Sequence, residues 1–391
     1  MAPKPVVTPD LFERLVAFRR DLHRHPELAW QEERTARCIG ARLESLGLAP
    51  RRAGATGIIA DVPGVSAGPR IALRADMDAL PIQEDTGLEF ASVNEGVMHA
   101  CGHDGHSTML LGAAELLVRG PAPPLPVRLL WQPAEENGQG ALALIEADAL
   151  EGVAQIFGGH VDRRYPAGDL IVTEGAVNAS SDAFEIEIRG RGGHGARPHE
   201  AVDAVVVGSL LVTALQTIVS REVDPAHPSV VSVGTFHAGT VRNVIAASAR
   251  LEGTIRAQED PVRRHLHGAI ERIARAIGRL HGAEVDVEIR SGMPAVINSP
   301  EMTEVARAAA VQVVGAECVK PLHTANMGAE DFAWYLEHVA GAYVRFGGRV
   351  DGREGFPAHS SGFDFDERAL ASGAAWFAGV AAMAGERLSA Q

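Results

Sequence analysis

The chain has few cysteines, no excess of basic residues and no long apolar run among its 391 residues. Three cysteines, Cys38, Cys101 and Cys318, are too few and too scattered for a disulfide framework, so we expect a reducing, cytoplasmic location. A formal net charge of −14 argues against a nucleic-acid binder, which usually carries a basic face. We expect no membrane helix, which needs about 20 apolar residues, and no signal peptide.

The most distinctive segment that is present is residues 98–106, Met-His-Ala-Cys-Gly-His-Asp-Gly-His. Its two glycines, Gly102 and Gly105, predict a loop, and a helix is predicted to follow over residues 107–119. A cysteine close to several histidines suits a transition metal better than calcium or magnesium. The composition predicts a metal-binding loop, and a histidine-rich surface turn is the alternative.

Short apolar strands alternate with helices on both sides of this segment. Strands are predicted at residues 71–74, 125–131 and 153–157, with a helix over 140–150 before the third. This alternation indicates a parallel α/β sheet, in which ligands bind beyond the carboxyl ends of the strands. The residues at those ends are Asp76, Asp78, Glu135, Glu136 and His160. Their convergence predicts a functional site at that edge of the sheet.

A further histidine, His359, follows a predicted strand at residues 341–348. The candidate metal ligands are then Cys101, His103, Glu136, His160 and His359. A single catalytic zinc usually takes three protein ligands, so the larger set suits two divalent cations. Such a pair would leave the site mildly positive and favour an anionic substrate. Of the two adjacent glutamates, one can ligate while the other takes a proton from water. The residues alone do not decide between them, and we assign Glu135 as the general base.

Residues 180–291 have a different pattern, with strands that alternate apolar and charged side chains. Their predicted order, β-α-β-β-α-β, is that of a ferredoxin-like sandwich. We therefore predict an α/β fold with a mainly parallel sheet flanked by helices, carrying an inserted ferredoxin-like α+β satellite domain. The catalytic domain would comprise residues 1–179 and 292–391. The open sheet edge of the satellite domain would suit pairing with a second subunit.

Three polar residues of the satellite domain are further candidates. His194 lies in a glycine-rich turn, where it could donate to an oxyanion or simply be a surface histidine. Asn243 and Arg256 lie at or near predicted strand ends. Arginine binds carboxylates in a bidentate fork, although a solvated arginine is the alternative.

Several segments together resemble the M20 family of metallopeptidases, in particular its amidohydrolase branch of hippurate hydrolases, aminoacylases and auxin-conjugate hydrolases. The matching segments are Asp21-Leu-His-Arg-His-Pro-Glu27, Arg74-Ala-Asp-Met-Asp-Ala-Leu-Pro81, residues 98–106, Gln132-Pro-Ala-Glu-Glu136, Gly192-Gly-His-Gly-Ala-Arg-Pro-His199, Gly328-Ala-Glu-Asp-Phe332 and His359-Ser. The resemblance covers nearly the whole chain. It implies a binuclear site with the five ligands named above and Glu135 as the base.

The resemblance also implies roles for residues around the metals. Asp78 corresponds to an orienting aspartate, while Asp76 stands where the wider family has a ligand histidine and is expected to orient a ligand instead. His194 matches an oxyanion histidine that dimers often deliver from the partner subunit. Asn243 and Arg256 match positions that face the substrate carboxylate.

The chain departs from the branch pattern at Asn137, where glycine is usual, and at Ala246, where proline is usual. Both departures affect the expected shape of the pocket and leave the ligands and the base in place. We therefore predict a metal-dependent amidohydrolase that cleaves N-acyl amino acids or related small amides through a metal-activated water.

The alternative is a dipeptidase or small-peptide exopeptidase with the same site. A non-catalytic binding protein would be expected to lack a ligand or the base. The expected cofactors are two divalent ions per subunit, whether zinc, manganese, cobalt or nickel. The expected partners are a small-molecule substrate and a second subunit in a homodimer or higher homo-oligomer, with no nucleic acid and no membrane.

Overall fold

The computed structural model describes residues 4–324, 326–352 and 355–390. Within these ranges the α-helices are α1 (Pro9–Arg24), α2 (Glu33–Ser45), α3 (His103–Arg119), α4 (Gly140–Glu146), α5 (Ala204–Glu222), α6 (Asp260–His281), α7 (Pro300–Val314), α8 (Ala333–Leu336) and α9 (Ala369–Ser389). The strands are β1 (Arg51–Ala53), β2 (Gly57–Val62), β3 (Arg70–Asp76), β4 (Val127–Gln132), β5 (Val153–Pro166), β6 (Leu170–Ile171), β7 (Gly175–Asn178), β8 (Asp182–Arg189), β9 (Gly193–His194), β10 (Ser229–Ala238), β11 (Val244–Ile245), β12 (Ser248–Ala257), β13 (Glu284–Arg290), β14 (Val296–Asn298), β15 (Val319–Lys320) and β16 (Ala340–Arg349).

The chain forms two compact units. The first unit comprises Met1–Gly175, Ile297–His323 and Asp331–Gln391, and the second comprises Ala176–Val296 and Thr324–Glu330. The second unit is therefore an insertion in the sequence of the first. The domain limits expected from the sequence, at residues 180 and 291, stay a prediction.

The first unit is built around an eight-stranded sheet with the order β1-β2-β4-β3-β5-β16-β6-β15. Its centre is parallel, because β3 pairs in parallel with both β4 and β5, and β5 pairs in parallel with β16. Every residue of β4 is buried, as expected for a strand covered on both faces. Helices α3, α7 and α9 pack against the sheet and complete the apolar core. The predicted mainly parallel sheet flanked by helices is confirmed.

The second unit contains a four-stranded antiparallel sheet with the order β10-β12-β8-β13. Helices α5 and α6 pack against this sheet and against each other. Buried side chains alternate along β8 with exposed ones, so one face of the sheet contributes to the apolar core beneath the helices. The elements follow the β-α-β-β-α-β order that the sequence predicts for a ferredoxin-like sandwich.

Helix α5 bears on the expectation that the chain contains no membrane helix. It is the one helix in the described part of the chain that is long and apolar enough to cross a membrane by length and composition. The test concerns length and composition only, so the expectation of no membrane helix stays a prediction. A single such helix is weak evidence for a membrane span, because α5 packs on β10 and β12 through Val207, Leu211 and Leu215.

Two segments extend further than the sequence analysis predicts, in both cases through glycines. Strand β5 does not end at residue 157 but continues through His160, because Gly158 and Gly159 leave room for aromatic neighbours. A Cβ atom at Gly159 would lie 2.7 Å from the ring of Phe346. Helix α3 begins at His103 rather than at residue 107, and Gly105 lets the ring of Phe365 approach its first turn.

Candidate metal centre

The five predicted metal ligands lie in two groups that share Cys101. One group is Cys101, His103 and His160, the other is Cys101, Glu136 and His359, and the ligand atoms of each lie within 4.8 Å of one another. Cys101 Sγ is 3.2 Å from His160 Nε2. Sulfur and nitrogen ligands of one tetrahedral zinc stand about 3.5 Å apart, given their usual bond lengths. The spacing therefore suits a shared cation.

Gly102 makes the turn that separates Cys101 from His103. Its φ of +91° lies in the left-handed region, which L-residues rarely adopt. A Cβ atom here would also lie 2.5 Å from Cγ2 of Val161 on β5. Both the backbone conformation and the contact with Val161 therefore require glycine at this position. The turn at Gly102 places Cys101 directly before the start of α3 at His103.

The hydrogen bonds of His103 and His160 leave one nitrogen of each ring free for a cation. His103 Nδ1 donates to Asp78 Oδ1 at 3.1 Å, and His160 Nδ1 donates to the carbonyl of Val161 at 2.7 Å. His103 Nε2 is buried and makes no hydrogen bond to any described residue. A buried ring nitrogen without a hydrogen-bond partner is unfavourable, and coordination to a divalent cation would satisfy it.

The two aspartates at the end of β3 do not serve as ligands in this arrangement. Asp78 orients His103, and its Oδ2 also accepts the backbone N–H of Glu136 at 3.1 Å. Asp76 is fully buried, and its carboxylate accepts from Arg74 and from His106, each at 2.6 Å. Asp76, His103 and His106 also lie close enough together to suggest a metal group. However, His106 Nε2 already accepts the N–H of Val161 at 2.9 Å, so its lone pair is occupied.

The paired glutamates follow β4 on a tightly held turn. Ala134 has a positive φ of +52°, and its N–H donates to the buried carboxylate of Glu32 at 2.9 Å. Glu135 and Glu136 each have a carboxylate oxygen 3.9 Å from His103 Nε2. Both carboxylates thus face the same ligand nitrogen, and only Glu136 also belongs to the group that contains Cys101.

His359 reaches the centre from a strained backbone conformation. Its φ is +66°, which costs a non-glycine residue about 1–2 kcal/mol. The N–H of His359 donates to the carbonyl of Ala100 at 2.8 Å, which ties this loop to the segment that carries Cys101. His359 Nε2 then lies 3.3 Å from Glu136 Oε1. Strain of this kind is concentrated at functional sites.

The electrostatics of the centre favour a bound cation. Burial strongly raises the pKa of the Cys101 thiol, so this side chain needs nearby positive charge to ionise. Burial also opposes ionisation of Glu136, but the hydrogen bond from His359 and the charge of His103 outweigh it and lower the pKa of Glu136. A divalent cation would stabilise both anions, since a coordinated thiol loses its proton.

A buried ion-pair cluster that the sequence analysis did not identify supports the first turn of α3. Asp104 accepts from Arg19 Nε at 2.7 Å and from His23 Nδ1 at 2.9 Å. All three side chains are fully buried. His23 and Asp104 lie in two of the matching segments, but their pairing with Arg19 could not be predicted, because α1 and α3 meet only in the folded chain. It fixes the residue that directly follows the ligand His103.

The other predicted site residues lie in the second unit. His194 of β9 pairs with Val244 of β11, and both His194 and Asn243 line an open cavity of about 900 Å³. His237, which the sequence analysis did not single out, lines the same cavity. Arg256 lies six residues along β12 from Arg250 at this cavity, about 20 Å at the rise of a strand. Within this unit Arg256 therefore does not converge with Asn243.

The chain is similar to proteins of known sequence and structure. The sequence profile of peptidase family M20/M25/M40 matches residues 72–383. An N-acyl-L-amino acid amidohydrolase of Geobacillus stearothermophilus is 43% identical over 295 residues, which are 73% of this chain and 78% of that protein. Thermostable carboxypeptidase 1 of Saccharolobus solfataricus is 37% identical over 368 residues, 92% of each chain. The crystal structure of the Bacillus subtilis YXEP protein, described as a dinuclear metal binding peptidase from the M20 family, has a TM-score of 0.86 at 36% identity and covers 97% of this chain and 99% of that one.

Proposed function

The chain belongs to peptidase family M20/M25/M40, and from this premise we propose a binuclear amidohydrolase that cleaves N-acyl amino acids or related small amides. The prediction of a hydrolase that acts on amide bonds is confirmed by the relatives, which include an amidohydrolase and a carboxypeptidase. The observation that carries the proposal is the pair of ligand groups joined at Cys101. Neither a ligand nor a base is missing from the described residues, contrary to what a non-catalytic binding protein would show.

In this proposal Cys101, which belongs to both ligand groups, would contribute its sulfur to the metal centre. His103 and His160 would complete one site, and Glu136 and His359 the other. When bound, two divalent ions supply Lewis-acid chemistry that acidifies water and polarises an amide carbonyl. The buried nitrogen of His103 and the thiol of Cys101 fit that role, since both need a cation to be satisfied. Zinc, manganese, cobalt and nickel all accept such mixed sulfur, nitrogen and oxygen ligands.

Glu135 is the proposed general base, because its neighbour Glu136 is the glutamate grouped with Cys101 and His359. Glu135 would take a proton from the attacking water and later pass it to the leaving amine nitrogen. Asp78 would keep His103 in the tautomer that presents Nε2. His194 is the proposed donor to the oxyanion. Asn243 and Arg256 are both proposed to contact substrate, but because they do not converge within the second unit, only one of them would hold a given carboxylate.

The proposed oligomer is a homodimer formed through the second unit. Strand β10 is an edge of its sheet and carries no acidic or basic residue apart from His237, whereas the other edge strand, β13, carries several exposed charges. Charged edges resist pairing with another chain and uncharged ones do not. Helix α5, which packs beside β10, exposes Val205, Val206 and Leu210. The proposed location is the cytoplasm, given the absence of a disulfide among the three cysteines.

The first experiment tests the base. Glu135→Gln removes the proton acceptor while preserving side-chain size, so kcat should fall by about 100- to 10,000-fold. The bound metal, measured by elemental analysis after dialysis, should stay at two ions per chain. The matched control is Glu32→Gln, because Glu32 is also a buried glutamate behind the same turn but belongs to no group of candidate metal ligands among the described residues. A Glu135→Gln enzyme with nearly unchanged kcat would refute the assignment.

The second experiment separates the two substrate classes. Metal-stripped and metal-restored enzyme would be assayed on N-acetyl and N-benzoyl amino acids and, in parallel, on free dipeptides. The proposal predicts higher kcat/KM for the N-acylated compounds and no turnover by the stripped enzyme. Preference for dipeptides with a free amino group would favour the peptidase alternative, which the similarity to a carboxypeptidase supports.

A further inference from the structure

The geometry points to a positioning relay in which Asp76 and His106 act through the backbone of Val161 to orient His160. The inference rests on the proposed function, because it takes His160 as a metal ligand. We call Asp76, His106 and the backbone N–H and C=O groups of Val161 the relay. The relay does not require Asp76 or His106 to be a metal ligand.

The first part of the relay fixes the tautomer of His106. Asp76 Oδ2 accepts a hydrogen bond from Arg74 Nη1 at 2.6 Å. Asp76 Oδ1 accepts one from His106 Nδ1, also at 2.6 Å. Arg74 is a donor in every protonation state, and its charge favours the ionised form of Asp76, which accepts hydrogen bonds through both oxygens. His106 must therefore carry its proton on Nδ1. Its Nε2 is then an acceptor, and it receives the N–H of Val161 at 2.9 Å.

The second part transfers this constraint to His160. The carbonyl of Val161 accepts from His160 Nδ1 at 2.7 Å, so the proton of that ring also lies on Nδ1. His160 Nε2 is left with a lone pair, 3.2 Å from Cys101 Sγ. The N–H and C=O of Val161 belong to one residue of β5, whose backbone is held by pairing with β16. Fixing its N–H to His106 therefore also fixes the carbonyl that orients His160.

The surroundings make this relay rigid. Asp76 and His106 are fully buried, and the rings of His106 and His160 pack with their centroids 4.5 Å apart. No solvent can replace a lost link there, so a broken hydrogen bond would leave a buried donor or acceptor unsatisfied. Asp76 at the end of β3 and Asp78 just beyond it thus have different roles. Asp78 orients His103 directly, while Asp76 orients His160 through two intermediates.

The Asp76→Asn substitution breaks the relay without changing side-chain size. The amide of asparagine has one donor face and one acceptor face. If its NH2 group faces Arg74, two donors meet. If it faces His106, the proton of that ring moves to Nε2 and meets the N–H of Val161. The first orientation costs residue 76 its anchor on Arg74, and the second breaks the link between His106 and Val161, so in either case the relay holds His160 less firmly.

The experiment measures Co²⁺ affinity by competition with a chelator, following the absorbance of the bound ion. The variants are Asp76→Asn, His106→Phe and the double variant. The control is Asp61→Asn, because Asp61 accepts from Arg128 in the same sheet at 2.8 and 2.9 Å but belongs to neither ligand group. Each single variant should bind one of its two Co²⁺ ions about 10- to 100-fold more weakly than wild type, the usual effect of losing a partner of a ligand histidine. Since Asp76 acts through His106, the double variant should bind no more weakly than the weaker single variant.

Three results would overturn the relay. Asp76→Asn could bind both ions with wild-type affinity, the losses of the two single variants could multiply in the double variant, or Asp76→Asn could weaken both ions equally. Wild-type affinity in Asp61→Asn is the expected control result. Wild-type protein that fails to bind two Co²⁺ ions would overturn the proposed function itself, and the relay with it, before any variant is compared.

Discussion

Replacing Gly102 with alanine should destabilise the protein for two separable reasons. The first is the φ of +91°, where an L-residue costs about 1–2 kcal/mol. The second is the new Cβ atom, 2.5 Å from Val161 Cγ2, whereas carbon atoms in contact prefer about 3.5–4 Å. Relief of this overlap costs about 1–3 kcal/mol in a packed core. The free energy of unfolding should therefore fall by about 2–5 kcal/mol.

Gly47→Ala is the matched control for this substitution. Gly47 has a similar φ of +80°, but an added Cβ atom there would meet nothing within 4 Å. Its unfolding free energy should fall by about 1–2 kcal/mol only, from backbone strain. Urea denaturation of both metal-free variants measures the difference, which isolates the contact with Val161. Equal losses in the two variants would refute the argument that the loop is packed tightly against β5.

Two further substitutions test the buried charges of each unit. Arg19→Met should destabilise the protein by about 3–5 kcal/mol in urea, because it leaves Asp104 as a buried charge without its main partner. Arg14→Ala, on the partly exposed side of the same helix, should cost much less, because an exposed ion pair contributes little. Similar losses in the two variants would contradict the role of burial. Burial opposes ionisation of Asp182, but the hydrogen bond from Arg263 outweighs it and lowers the pKa of Asp182. A lowered pKa contributes stability that is present above the ordinary value of about 3.9 and is lost as the pH falls through the pKa of the folded protein. Asp182→Asn should therefore reduce the loss of unfolding free energy at acid pH. A variant whose unfolding free energy falls at acid pH as steeply as that of the wild type would contradict this.

The parallel sheet and the ligands at its edge could be predicted from the sequence because both depend on residue types in order. Apolar strands alternating with helices place their carboxyl ends together, so Asp78 and Glu136 were expected to converge. The structure brings Asp78 to the backbone of Glu136 and groups Glu136 with Cys101 and His359. Cysteine, histidine and glutamate are rare enough in such positions to carry a chemical signal.

The relay could not be predicted in the same way, since its central link is the backbone of Val161. A backbone N–H is present in every residue except proline and leaves no trace in the sequence. The predicted end of β5 at residue 157 was wrong for a related reason, because the sequence pattern of Gly158 and Gly159 is typical of the end of a strand. They are instead sites of close packing against aromatic rings from distant segments. Tertiary contacts of this kind outweigh local preference.

The central claim is that one sulfur atom serves both cations, and the count of bound metal ions per chain tests it most directly. Elemental analysis would compare wild type, Cys101→Ala and His359→Ala after dialysis against a weak chelator. We predict two ions in wild type, about one in His359→Ala, which removes a ligand from one group only, and fewer than one in Cys101→Ala. A Cys101→Ala protein that retains as much metal as His359→Ala would contradict the shared site.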